Sequence, residues 1–164
     1  MIILGIDPGT AITGYGLIEA AHQQYRLIDY GCIRTPSKET MPIRLKTIYD
    51  AMTELLTETS PDCVSIEQLF FNRNVTTAVP VGQARGVLIL ACAQKNTPIA
   101  EYTPLQVKQA VVGYGGAEKK QVQYMVSHFL KMASPPKSDD AADALALAIC
   151  HSHYQTLEKI MKKG

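Results

Sequence analysis

The chain is predicted to form an α/β or α+β fold around a mixed five-stranded sheet flanked by helices, and three observations lead there. "MIILGID" is an apolar run too short for a free-standing helix, and it stops at Pro8-Gly9. Two β-rich runs follow at once. After them, segments of helical spacing alternate with short strand-like ones, the order expected when helices cover a mixed sheet. Hydrophobic residues make up 46% of the chain and charged residues 19%, which supports a packed core and excludes a largely disordered chain. With 164 residues and no internal repeat, one domain spanning 1–164 is expected, residues 157–164 forming a flexible basic tail.

"MIILGID" reads as a buried strand, ended where proline removes a donor and glycine permits a turn. "GYGLIEA" and "QYRLIDYGCIRT" read as the next two strands, joined through the polar "AHQQ". After Pro42, apolar residues at Ile43, Leu45, Ile48, Met52, Leu55 and Leu56 recur at helical spacing. Cys63 to Ile66 is a short strand leading into Glu67. Residues 75–95 form a long helix whose second half, "GVLILACAQ", is apolar nearly all round and needs cover on more than one face. "TPIAEYTP" suits a fifth strand, with Pro104 in the first turn of the helix "PLQVKQAVV". The glycine-rich "GYGGAEK" leads into the helix "KQVQYMVSHFLKMA", and "SPPKS" breaks the chain before a last helix.

No apolar run approaches the roughly 18 residues that span a bilayer. The N-terminal run has no basic leader, so a cytoplasmic protein with free thiols is expected. Cys32, Cys63, Cys92 and Cys150 lie too far apart for a zinc site of the CxxC type. A net charge of +1 does not advertise a polyanion partner, so any nucleic-acid surface must be a local patch.

The last helix opens with "KSDDAADALALAICHSH", three aspartates at the head of a segment built for burial. Residues three or four apart share a helical face, so Asp143 faces both Asp140 and Asp139, and carboxylates that close repel unless a cation intervenes. Ser138 or Asp139 as a cap, with acids suiting the helix dipole, explains Asp139 and Asp140. It leaves Asp143 unexplained, on the stripe continued by Leu147 and Cys150. Asp7 and Glu67 repeat the pattern, each an acid where a core-bound strand stops. Alone, Asp-Pro-Gly is a favoured turn and a strand-end Glu is ordinarily solvated. Together, two strands and one helix each deliver carboxylate to an end, where sheet folds place their sites. Oxygen-only ligands suit Mg²⁺ or Mn²⁺, and four carboxylates suffice for two ions about 3.5–4 Å apart. His151, about 12 Å along the helix from Asp143, cannot share an ion with it. His151 and His153 are read as surface or helix-end residues.

"GIDPGT", "SIEQLFFNRN", "GQARGV", "VKQAVVGYGGAEKKQV" and "DDAADALALAICHSH" together resemble the RuvC family of Holliday-junction resolvases, in order and over nearly the whole chain. "GIDPGT" alone is unspecific; the ordered set is highly specific. The resemblance implies a ribonuclease H-like fold, a homodimer, and cleavage of four-way junction DNA with two divalent ions, Mg²⁺ or in its place Mn²⁺. It places catalytic and metal-holding roles on Asp7, Glu67, Asp140 and Asp143, choosing Asp140 over Asp139. One ion would activate a water and the other stabilise the departing 3′ oxygen, leaving 5′-phosphate and 3′-hydroxyl ends. It further implies phosphate contact by Lys108 and Lys119, stacking of Phe70 on an unpaired base, and RuvA and RuvB as partners.

Lys120 beside Lys119, and Arg73 and Asn74 after Phe70, are further candidates for DNA contact, while Phe71 is read as core. Gly82 and Gly86 form a small-xxx-small step on the long helix. That step either seats the helix on its own sheet or admits a second subunit, and the all-round apolar stretch favours the subunit. Three rivals are weighed. A sugar-kinase- or actin-like nucleotide binder needs a duplicated domain that 164 residues cannot hold. A binding module without chemistry has no reason to keep four mutually repelling acids. A nuclease for RNA or hybrid is set aside only by the resemblance.

Overall fold

The structure is a computed structural model that describes residues 1–21, 24–69 and 75–161. Its strands are β1 (Ile2–Asp7), β2 (Ile12–Ala21), β3 (Gln24–Arg34), β4 (Cys63–Glu67) and β5 (Ile99–Tyr102). Its helices are α1 (Met41–Thr59), α2 (Val75–Gln94), α3 (Pro104–Val112), α4 (Lys119–Phe129) and α5 (Asp139–Met161). The sheet runs β3-β2-β1-β4-β5, antiparallel on the β1–β2–β3 side and parallel from β1 through β4 to β5. The mixed five-stranded sheet is as predicted, as is the order of its elements.

Strand alternation divides the core into two layers. Leu4, Ile6 and Leu17 pack with Val64 and Ile66 against Ile48 and Met52 of α1 and Leu88 of α2. Ile3 and Ile18 face the other way, toward α5 (Leu145, Ile149), with Val107 of α3 and Val126 of α4 closing that layer. Odd-numbered β1 residues therefore look toward α5, and Asp7 ends that series. In β4 the Ser65 hydroxyl donates to the Leu147 carbonyl of α5 at 2.8 Å, so Glu67, two residues on, points to the same side.

Helix α5 lies almost flush on the sheet because three strand positions under it, Gly5, Gly14 and Gly16, carry no side chain. A Cβ on Gly5 would stand 1.8 Å from the Ala144 carbonyl oxygen, and one on Gly14 would stand 2.0 Å from that of Asp140. From Ala141 to Ser152, every α5 residue is buried except Asp143, which is half-buried. Removing that much apolar surface from water, at about 25 cal/mol per Å², outweighs the charge at the helix's head.

Local signals end the helices. Thr103 and Gln106 form a reciprocal capping box at α3, with Pro104 in the first turn and Gly113 at φ 81° closing the helix. Two expectations are corrected. Helix α5 continues to Met161, so the first five residues of the expected 157–164 tail are helical. His151 is not a surface residue: it is 4% exposed, with Nδ1 2.8 Å from the Tyr102 hydroxyl, while His153 is half-buried with Nδ1 2.6 Å from the Ala110 carbonyl.

Candidate active site

The parallel ladder between β1 and β4 ends at the pair Ile6 and Ile66. Asp7 and Glu67 are the next residue of each strand, side by side and turned toward α5. On the other flank Asp7 pairs with Gly14, the glycine against which the Asp140 backbone rests. One turn along α5, Asp143 reaches the same end of the sheet. Asp7, Glu67 and Asp143 line one cavity of about 250 Å³ with Lys108 of α3 and Lys119 of α4. Asp140 does not line that cavity: the Ser138 hydroxyl donates to its Oδ2 at 3.2 Å, and the Cys32 thiol donates to Ser138 Oγ at 3.1 Å.

Crowding and burial change how these acids titrate. Burial, then Glu67, Asp143 and Asp140 in that order, push Asp7 from 3.8 up to about 7 against the pull of Lys119. Burial and Asp143 likewise raise Glu67, and burial raises Asp143 despite its bond to Lys119. The Lys119 ammonium lies 3.1 Å from Asp143 Oδ2 and 3.3 Å from Asp139 Oδ2. Burial alone would lower Lys119, but its bonds to Asp143 and Asp139 carry it upward. Asp139 is held below the ordinary carboxylate range by a 2.8 Å bond from Gln123 and by Lys119.

Among the described residues, no three Asp, Glu, His or Cys side chains are drawn together as the ligands of an ion would be. The ammonium of Lys119 already stands against one of these acids, Asp143. The donor set nevertheless fits a hard dication: all its groups are carboxylate, and an anion destabilised enough to hold Asp7 at about 7 is relieved by added positive charge.

The remaining candidates separate. Lys120 is exposed and does not line the cavity. Phe70, Phe71, Arg73 and Asn74 lie outside the described residues. A Cβ on either Gly82 or Gly86 would meet nothing within 4 Å, so neither glycine seats α2 on its own sheet. Val79 and Leu90, 53% and 51% exposed, lie on the same outer stripe of α2.

Sequence reasoning missed the glycine contacts of Gly5 and Gly14. It also missed Arg85, whose guanidinium donates to the Glu67 carbonyl and to Glu101. Ser138 and Asp139 were alternative caps; the Ser138 hydroxyl instead serves the Asp140 carboxylate, and Asp139 bonds to Gln123 and Lys119. The position of Gln123, one helical turn beyond Lys119, was the only signal for its bond to Asp139.

Sheet order and convergent acids define the class: a ribonuclease H-like α/β protein with the site of a nuclease. A family model described as crossover junction endodeoxyribonuclease RuvC matches residues 3–151. The crossover junction endodeoxyribonuclease RuvC of Alkaliphilus metalliredigens is 57% identical, covering 98% of this chain and 99% of the relative. That of Desulforamulus reducens is 54% identical, covering 95% and 96%. The solved structure of Thermus thermophilus RuvC in complex with a Holliday junction substrate superposes with a TM-score of 0.92 at 33% identity, covering 96% of each chain. The chain belongs to the RuvC family and is, with that family, an endonuclease.

Proposed function

We propose that this protein resolves four-way DNA junctions in recombination and repair, hydrolysing phosphodiesters with two Mg²⁺ ions, for which Mn²⁺ can substitute, held by Asp7, Glu67, Asp140 and Asp143. The observation that carries this reading is the delivery of half-buried, mutually repelling carboxylates from β1, β4 and α5 to one end of the sheet. Bound there, such ions supply an acidic water near neutral pH and positive charge for the departing 3′ oxygen. The protein's own part is placement. Asp7 is held by its pairing with Gly14 of β2 and Glu67 by its pairing with Tyr102 of β5, and Asp140 is oriented by Ser138. Lys119 holds Asp143 until substrate arrives and can then turn to a backbone phosphate; the half-buried Lys108 lies on the same wall. The exposed Lys120 adds to the positive rim, with Phe70 stacking on an unpaired base and Arg73 and Asn74 contacting the backbone.

Resolution needs two cuts, and a symmetric pair of subunits makes them. The outer stripe of α2, with Gly82 and Gly86 bare and Val79 and Leu90 exposed, is the surface we assign to the homodimer. RuvA and RuvB come with the family reading as partners, and the cytoplasm as location. No helix among the described residues is long and apolar enough to cross a membrane.

The test is incubation with a synthetic four-way junction, with and without Mg²⁺, beside linear duplex and RNA–DNA hybrid. Paired nicks with 5′-phosphate ends, on the junction alone and only with metal, are expected. Equal cutting of linear duplex or hybrid overturns the reading.

A further inference from the structure

Helix α2 is fastened to the active end of the sheet at two points. The Arg85 Nε–H donates to the backbone carbonyl of Glu67 at 3.1 Å, and its terminal nitrogen pairs with Glu101 of β5 at 2.6 Å. The Thr10 hydroxyl, in the turn after Asp7, donates to the Pro80 carbonyl of α2 at 2.8 Å. β5 still pairs Glu67 with Tyr102, and the Gln68 N–H donates to the Tyr102 carbonyl at 2.8 Å, but the β1–β4 ladder ends at Ile66 and leaves the Glu67 carbonyl beyond it. Arg85 takes it. The Arg85 side chain is 17% exposed, and its planar fork allows one side chain to hold β4 and β5 together, which a lysine ammonium cannot match. Arg85 borders the outer stripe of Gly82, Gly86 and Leu90 on the same helix.

We infer that Arg85 is a positioning residue for the nuclease site: it fixes the end of β4, and with it Glu67, to the helix whose outer face is assigned to the subunit contact. This rests on the reading of Glu67 as part of the catalytic set. Arg85 touches no reacting atom, and its effect passes through the Glu67 backbone. Groups that orient metal ligands from outside the ligand shell change metal affinity or rate by about 10–100-fold when removed. The same two fastenings place the subunit helix and the two acid-bearing strand ends in one rigid frame.

The full chain carrying Arg85→Gln, Arg85→Lys, Glu101→Gln or Glu67→Gln tests this. Three measurements are made: hydrogen–deuterium exchange over residues 63–68 without metal, Mn²⁺ affinity by electron paramagnetic resonance without DNA, and single-turnover cleavage against junction Kd. For Arg85→Gln, exchange at the β4 end rises about tenfold, Mn²⁺ affinity falls about tenfold and cleavage falls about 100-fold, with junction Kd within about threefold of wild type. Arg85→Lys recovers part of each loss. Wild-type exchange and Mn²⁺ affinity in folded Arg85→Gln overturn the inference. Should that variant fail to fold, Glu101→Gln, which frees one arm of the guanidinium, must give a smaller change in the same direction, and wild-type behaviour there overturns it equally. If Glu67→Gln itself binds Mn²⁺ and cuts normally, the acidic-site reading fails. If Glu67→Gln is inactive and Arg85→Gln is not impaired, only the role of Arg85 falls.

Discussion

The Lys119 ammonium lies 3.1 Å from Asp143 Oδ2, so a cation from the chain itself occupies the side of the cavity where a dication would find its ligand. The pair is half-exposed, and its worth is correspondingly modest, below about 1 kcal/mol. Lys119→Met should therefore tighten Mn²⁺ binding without DNA by about threefold, measured at pH 8. The same variant should lower junction cleavage and reduce the log–log salt slope of junction binding by about one.

Asp7 keeps its proton to about pH 7 in the folded protein, against 3.8 ordinarily. Between those values the folded state binds the extra proton, so stability falls as pH rises from about 4 to about 7, by up to about 1.4 kcal/mol per unit. Thermal melting in chelator should trace that decline. Mg²⁺ should offset most of it at pH 8, and Asp7→Asn should flatten it.

Replacing Asp7 by Asn, Glu67 by Gln or Asp143 by Asn should reduce junction cleavage about 10³-fold or more while leaving junction binding within a few-fold of wild type. Gel-shift and single-turnover assays on the same samples check this. Near-normal cutting by any one of the three removes that residue from the catalytic set.

Gly5→Ala would drive a methyl group to 1.8 Å from the Ala144 carbonyl oxygen, a backbone atom that cannot swing aside. The variant should lose about 1–3 kcal/mol or more in denaturant unfolding and lose cleavage with it, because α5 must lift from β1. Gly14→Ala should behave alike, with Asp140 as the displaced residue.

Gly86→Arg makes the opposite forecast. With nothing within 4 Å of a Cβ there, the subunit fold should keep its melting temperature within a few degrees. If the outer stripe of α2 forms the proposed subunit contact, sedimentation should show a shift from dimer toward monomer, and paired nicking should give way to single nicks.

Much of this was legible in the sequence, for identifiable reasons. Short β-rich runs and 3.6-residue spacing marked every element, and acids interrupting apolar runs marked Asp7, Glu67 and Asp143. What stayed hidden depends on contacts between distant segments. The glycines of "GYGLIEA" read as weak strand formers, and only the packed helix gives Gly14 its purpose. His151 sits in a polar-looking "HSH", yet Tyr102, far away in the chain, makes its burial tolerable. Lys119 was expected to contact phosphate, and its bond to Asp143 stayed hidden because nothing local signals that α4 docks with its first turn there. Helix α5 runs to Met161, past the expected start of the tail at 157, although Leu157 and Met161 are both exposed.

The bare strand positions under α5 make the acid spacing a matter of main chain touching main chain. Loops and basic rims around the pocket can thus vary, altering which DNA shapes are admitted, without recalibrating the cutting chemistry.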